Sequence, residues 1–132
     1  SLILEAPHVF VENISVKGIK SSKKAWNNNN LKDKLSKYHE DVDGAFNGWC
    51  NVWLSKSFIS WNIEDYLKRI NVPIQLIQGL NDQYGSLKQL DSIEENVSGK
   101  TYRHEIEDCG HSPHSQYPID IKNKVKYFLS NN

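Results

Sequence analysis

The sequence has 132 residues, enough for one domain around a single core. Its 16 basic and 16 acidic residues cancel, so no long-range field draws it to nucleic acid or to an anionic membrane. No apolar run approaches the ~20 residues of a bilayer-spanning helix, and two cysteines, Cys50 and Cys109, are too few for a disulfide framework. A cytoplasmic location is the expectation.

The chain opens on Leu2, Ile3 and Leu4, a buried-type strand with no cap, turn or helix before it. Termini are usually polar and at the surface, so residue 1 is expected to fall inside a domain. Pro7 has no ladder donor and should end this strand. His8 then stands at the strand's carboxyl end, where sites form in open α/β sheets. The alternative for His8 is a ring satisfied by a backbone carbonyl.

Residues 13–61 read as helices. Lys17, Lys20, Lys23 and Lys24 mark a solvated face. Residues 27–30 are an asparagine run, a poor helix former that tolerates turns, and read as a loop. Residues 31–38 read as a short helix with Leu31, Leu35 and Tyr38 on one side. Phe46, Trp49 and Trp53 recur at three and four, which makes one helix face aromatic. That face either packs internally or lines an apolar substrate pocket. His39, Asp41 and Asp43 suit turn and cap roles.

Asn62 can cap a helix over residues 63–69, with Ile63, Tyr66, Leu67 and Ile70 toward a core. Pro73 opens the next strand, where Ile74, Leu76 and Ile77 form a short apolar run closed by Gly79. Such a run predicts a buried strand of a parallel sheet. A polar loop follows, carrying one carboxylate, Asp82. Gly85 and Ser86 open a helix with Leu87, Leu90, Ile93 and Val97 on one face, and Ser98-Gly99 ends it in the manner of a glycine cap. Residues 101–107 read as a third strand, whose Arg103, His104 and Glu105 suit an exposed edge. The loop Asp-Cys-Gly-His-Ser-Pro-His at 108–114 comes next. Pro118 fits the first turn of a last helix with Ile121, Val125, Phe128 and Leu129 toward the core. Strands alternating with helices imply a parallel sheet with right-handed crossovers.

An acid after one strand and a histidine after the next can meet above a sheet of neighbouring strands. The stretches Pro-Ile-Gln-Leu-Ile-Gln-Gly-Leu-Asn-Asp-Gln-Tyr-Gly and Asp-Cys-Gly-His-Ser-Pro-His resemble the last two strand-and-loop units of the α/β-hydrolase superfamily. Nearly the whole chain shares the likeness, with the helical stretch in the place of a lid. In that family the triad runs Ser, then Asp or Glu, then His. The resemblance implies Asp82 as acid and His111 as base, and a nucleophilic serine upstream of Ser1. The strands are then expected in the order Leu2–Glu5, residues 74–78, residues 102–106.

The chemistry suits these residue types. A serine hydroxyl is a weak nucleophile until a base takes its proton, and imidazole does so near neutral pH. A carboxylate on the other ring nitrogen fixes the tautomer and stabilises the imidazolium. Gly110-His111-Ser112-Pro113-His114 also looks like a damaged G-x-S-x-G elbow with Ser112 as nucleophile. Pro113 argues against it, because the residue after the nucleophile gives its N–H to the oxyanion hole. Cys109, His111 and His114 are clustered ligand types, and zinc is a further alternative; no metal and no cofactor is the expectation.

The resulting expectation is an α/β fold: a three-stranded parallel sheet, flanking helices and a helical lid at about 13–61. The chain would be the C-terminal part of a serine hydrolase of a small ester, amide or related acyl substrate, or of a carbon–carbon bond, inactive by itself. His8, Phe46, Trp49 and Trp53 are the candidate substrate contacts. A homodimer is expected through the Leu2–Glu5 strand edge or by exchange of lid helices. The competing class is a non-enzymatic binding or interaction module derived from a hydrolase.

Overall fold

A computed structural model describes residues 1–28 and 31–132; positions 29 and 30 of the asparagine run lie outside them. Strands β1 (Leu2–Glu5), β2 (Ile74–Gly79) and β3 (Thr101–Ile106) form a parallel sheet in the order β1-β2-β3. This is the expected order, with Leu2 opposite Ile74 and Ile74 opposite Thr101.

Every residue of β2 is buried. A central parallel strand is covered on both faces, so it reads as a continuous run rather than an alternation. Successive side chains go to opposite faces. Ile74 and Leu76 pack with Val9, Leu67, Leu90 and Ile93. Ile77 packs the other way, with Ile106, Cys109 and Ile121. Each such fully buried aliphatic side chain contributes about 1.5–3 kcal/mol relative to exposure.

The chain divides into two compact units, Ser1–Phe10 with Asn62–Asn132, and Val11–Trp61. In the second, helices α1 (Asn13–Asn28), α2 (Leu31–Leu35) and α3 (Val42–Trp53) follow in order. Ser15 and Ile19 are buried on α1, and its four lysines are exposed. Asp41 caps α3, its Oδ1 accepting the Gly44 N–H at 2.8 Å. Val42, Phe46 and Cys50, four apart, are the buried stripe of α3. Asp43 pairs with Lys32 at 2.6 Å.

The first unit continues with α4 (Glu64–Leu67), α5 (Lys88–Asn96), α6 (Pro113–Gln116) and α7 (Pro118–Asn131). Among the described residues, no helix is long and apolar enough to cross a membrane.

Several local expectations need correction. Helix α1 runs through Asn27 and Asn28, where the sequence predicts a loop. Helix α2 stops at Leu35, so Tyr38 lies beyond it and is 81% exposed. Tyr66 and Leu129 are exposed, not core. Helix α4 is a single turn that buries only Leu67, and Leu129 is rotated about 100° from the buried Phe128 beside it. Strand β1 ends at Glu5, and what stops it is not Pro7 but Ala6, whose φ of 46° leaves the strand region. Gly99 is not a left-handed cap, since no described glycine has positive φ. A Cβ there would instead overlap the Val72 carbonyl.

Candidate active site

Two loops leave the carboxyl ends of β2 and β3 and are tied to each other by backbone hydrogen bonds. The Leu80 N–H donates to the Ile106 carbonyl at 2.9 Å, and the Asn81 N–H to the Cys109 carbonyl at 2.8 Å. Asp108 takes φ 53°, a left-handed conformation that aspartate tolerates better than most residues, and turns the chain off β3. The Gly110 N–H is held by Gln116 Oε1 of α6 at 2.9 Å.

These ties bring His111 to Asp82. His111 Nδ1 lies 2.8 Å from Asp82 Oδ2. The Asp82 side chain is 1% exposed and that of His111 35%. Asp82 Oδ2 also accepts from Gln78 Nε2 at 2.7 Å, while Oδ1 accepts the backbone N–H of Tyr84 at 2.8 Å and of Gly85 at 3.3 Å. An ionised carboxylate only accepts, so in the neutral ring the proton sits on Nδ1 and Nε2 keeps its lone pair. The Tyr84 ring meets His111 edge-on, centroids 4.8 Å apart.

Burial pushes the Asp82 carboxyl up, but the His111 hydrogen bond, the Tyr84 N–H, the His111 charge and the Gly85 N–H together outweigh it. Asp82 therefore titrates below the ordinary carboxylate value, about 3.9. A group depressed in the folded state stabilises fully above its unfolded value and loses that contribution as pH falls through its folded one. In urea titrations from pH 7 downward, the midpoint of the wild type should fall below about pH 4 more steeply than that of Asp82→Asn. Parallel curves would contradict the depressed value.

No family model matches the sequence, and no curated protein matches it either. Solved structures do match. A serine hydrolase involved in carbazole degradation superposes with a TM-score of 0.67 at 17% identity, over 98% of this chain and 54% of that one. A meta-cleavage product hydrolase from Pseudomonas fluorescens gives 0.64 at 14%, over 98% and 55%. An α/β hydrolase enzyme from a deep-sea metagenome library gives 0.65 at 15%, over 97% and 55%. The chain has the α/β-hydrolase fold. It spans about half the length of these proteins.

Within this α/β-hydrolase fold, the remaining candidates separate clearly. His8 joins Asp82 and His111: its ring centroid is 6.0 Å from that of His111. It lies against Gly85, where an added Cβ would stand 3.1 Å from His8 Cε1. Phe46, Trp49 and Trp53 belong to the second unit. There Phe46 stacks on Trp26 at 4.0 Å and lies 5.8 Å from Trp49, and Trp53 meets Phe58 and Trp61 edge-on. Their contacts are the packing alternative; any pocket role is a proposal.

Ser112 stands at the N-cap position of the four-residue helix α6, with φ −129° and ψ 68° and no side-chain capping hydrogen bond; its negative φ is not the strained strand-to-helix turn of an elbow. The possible zinc ligands disperse. His111 faces Asp82, the His114 N–H and Nδ1 both face Glu5 Oε1 at 2.8 Å, and Cys109 is buried in the core. Among the described residues no cluster of three ligand types could hold a metal ion.

Sequence reasoning missed Gln78, Tyr84 and the Glu5–His114 pair. The signal for Gln78 was present: a polar residue inside a strand otherwise reading as fully buried. Glu5 and His114 are 109 positions apart, and nothing local marks them as partners.

Proposed function

We propose that Asp82 and His111 are the acid and base of a serine-type hydrolase whose nucleophilic hydroxyl comes from outside these 132 residues. The observation that carries this reading is the 2.8 Å contact from His111 Nδ1 to a nearly inaccessible Asp82 carboxylate. It leaves Nε2 as the basic nitrogen on the more exposed side of the pair. In the reaction, Nε2 takes the serine proton as the oxygen attacks the carbonyl carbon of the substrate. The imidazolium, stabilised by Asp82, then returns that proton to the departing group. Water repeats the cycle on the acyl intermediate and releases the acid. The reading calls for no cofactor.

Esters, amides and related acyl or carbon–carbon bonds are the substrate classes, with His8, Phe46, Trp49 and Trp53 as proposed contacts. The names of the similar structures, a serine hydrolase and a meta-cleavage product hydrolase, support the reaction class. Two free, buried cysteines support a reducing, cytoplasmic setting.

A nitrophenyl ester assay tests the assignment of roles. The 132-residue chain alone should show no saturable turnover above its His111→Ala control. Saturable turnover lost in both His111→Ala and Ser112→Ala would transfer the nucleophile to Ser112.

Taken alone, residues 1–132 leave β1 at a sheet edge, with Leu2 36% and Ile3 38% exposed. Unpaired edge groups beside apolar side chains template pairing with another chain. A twofold dimer through Leu2–Glu5, or by exchange of helices from residues 11–61, is therefore proposed. Sedimentation should show a concentration-dependent dimer that Ile3→Lys weakens; a monomer at all concentrations would contradict it.

A further inference from the structure

Strand β2 carries a polar side chain where its own pattern calls for an apolar one. Ile74, Leu76 and Gln78 share one face by strand alternation. The first two are 0% exposed and sit in the core, and Gln78 is 1% exposed beside them. A buried amide is unfavourable unless its hydrogen bonds are made.

Both bonds that Gln78 makes use its nitrogen. Nε2 donates to Asp82 Oδ2 at 2.7 Å and to the Gly85 carbonyl at 3.2 Å. Its carbonyl oxygen is buried and makes no hydrogen bond within the described structure. The opposite orientation would point that oxygen at a carboxylate. The rotamer is therefore set by Asp82 and Gly85, at the expense of the amide's own acceptor.

The arrangement is a closed one. The Gly85 N–H donates to Asp82 Oδ1, while the Gly85 carbonyl and Asp82 Oδ2 share Gln78 Nε2. His111 Nδ1 approaches that same Oδ2. We propose that Gln78 is a positioning residue of the site, which fixes the plane of the Asp82 carboxylate and shares Oδ2 with His111. This rests on the reading of Asp82 and His111 as acid and base. Without the Gln78 donor, Asp82 can rotate about its side chain and the Oδ2 charge falls on His111 alone.

The test follows the Asp82 carboxyl carbon by NMR during pH titration of the 132-residue chain. Gln78→Leu continues the apolar row and is expected to fold; Gln78→Met is a second, more adaptable replacement. Each should raise the Asp82 midpoint by about one unit, tenfold in proton affinity, because a hydrogen bond to the charged form is lost. Gln78→Glu sets a second carboxyl against the first and should raise it further. A merely space-filling role would leave the midpoint unchanged in Gln78→Leu and Gln78→Met.

An unchanged Asp82 midpoint in folded Gln78→Leu or Gln78→Met overturns the assignment. His111→Ala, measured alongside, separates the two claims. If it raises the midpoint while the Gln78 variants do not, the acid–base pair stands and Gln78 is not its positioning residue. The reverse result keeps Gln78 as the holder of Asp82 and overturns the pair.

Discussion

His111→Ala, in a polypeptide that also carries the nucleophilic serine, should lower kcat by on the order of 10⁶-fold with KM little changed. The base acts on the hydroxyl only as the bond to substrate forms, so its loss removes transition-state stabilisation rather than ground-state binding. Asp82→Asn should cost less, on the order of 10⁴-fold, because the ring stays in place but its tautomer is no longer fixed. Steady-state ester hydrolysis measures both. Equal, small losses of a few-fold would mean that neither group moves a proton in the slow step.

Gly79→Ala should destabilise the fold by about 3 kcal/mol, at the upper end for overpacking. A Cβ on Gly79 would overlap the carbonyl oxygens of both Cys109 and Gly110. These are backbone atoms of the loop that carries His111, and the Cys109 carbonyl already accepts the Asn81 N–H. They cannot swing aside as a flexible side chain would. Gly48 in α3 is the control, since a Cβ there meets nothing within 4 Å. Gly48→Ala should stabilise by about 0.5–1 kcal/mol through the lower entropy of the unfolded chain. Urea unfolding of the two variants measures the difference; a Gly79→Ala midpoint at or above that of wild type would contradict the close packing of the two loops.

Gly79 also shows which parts of this molecule were legible in the sequence. The apolar run that it closes is enough to place β2, because a strand covered on both faces needs apolar residues in succession. Pro118 marks the start of α7 through its missing N–H, and Asp41 marks the cap of α3. The contact between Asp82 and His111 could be anticipated because each lies in the loop that follows a recognisable strand.

What escaped the sequence is what depends on approach between distant segments. The demand for no side chain at Gly79 comes from a loop 30 positions on, and at Gly99 from Val72. A glycine alone does not say whether it serves a left-handed turn or a near backbone, and at Gly99 the turn reading fails. Ala6 breaks β1 with φ 46°, a conformation that alanine does not advertise. Tyr38 and Tyr66 mislead because their rings fit an apolar stripe, while the helices that would carry such a stripe are one or two turns long.

The central claim is that His111, oriented by Asp82, activates a serine outside residues 1–132. Capture by a fluorophosphonate, followed by peptide mass mapping, tests it most directly. The material is the polypeptide with whatever residues its gene encodes ahead of Ser1. The account predicts phosphonylation of one serine outside residues 1–132, abolished by His111→Ala. Labelling of Ser112, or labelling at an undiminished rate in His111→Ala, would contradict it.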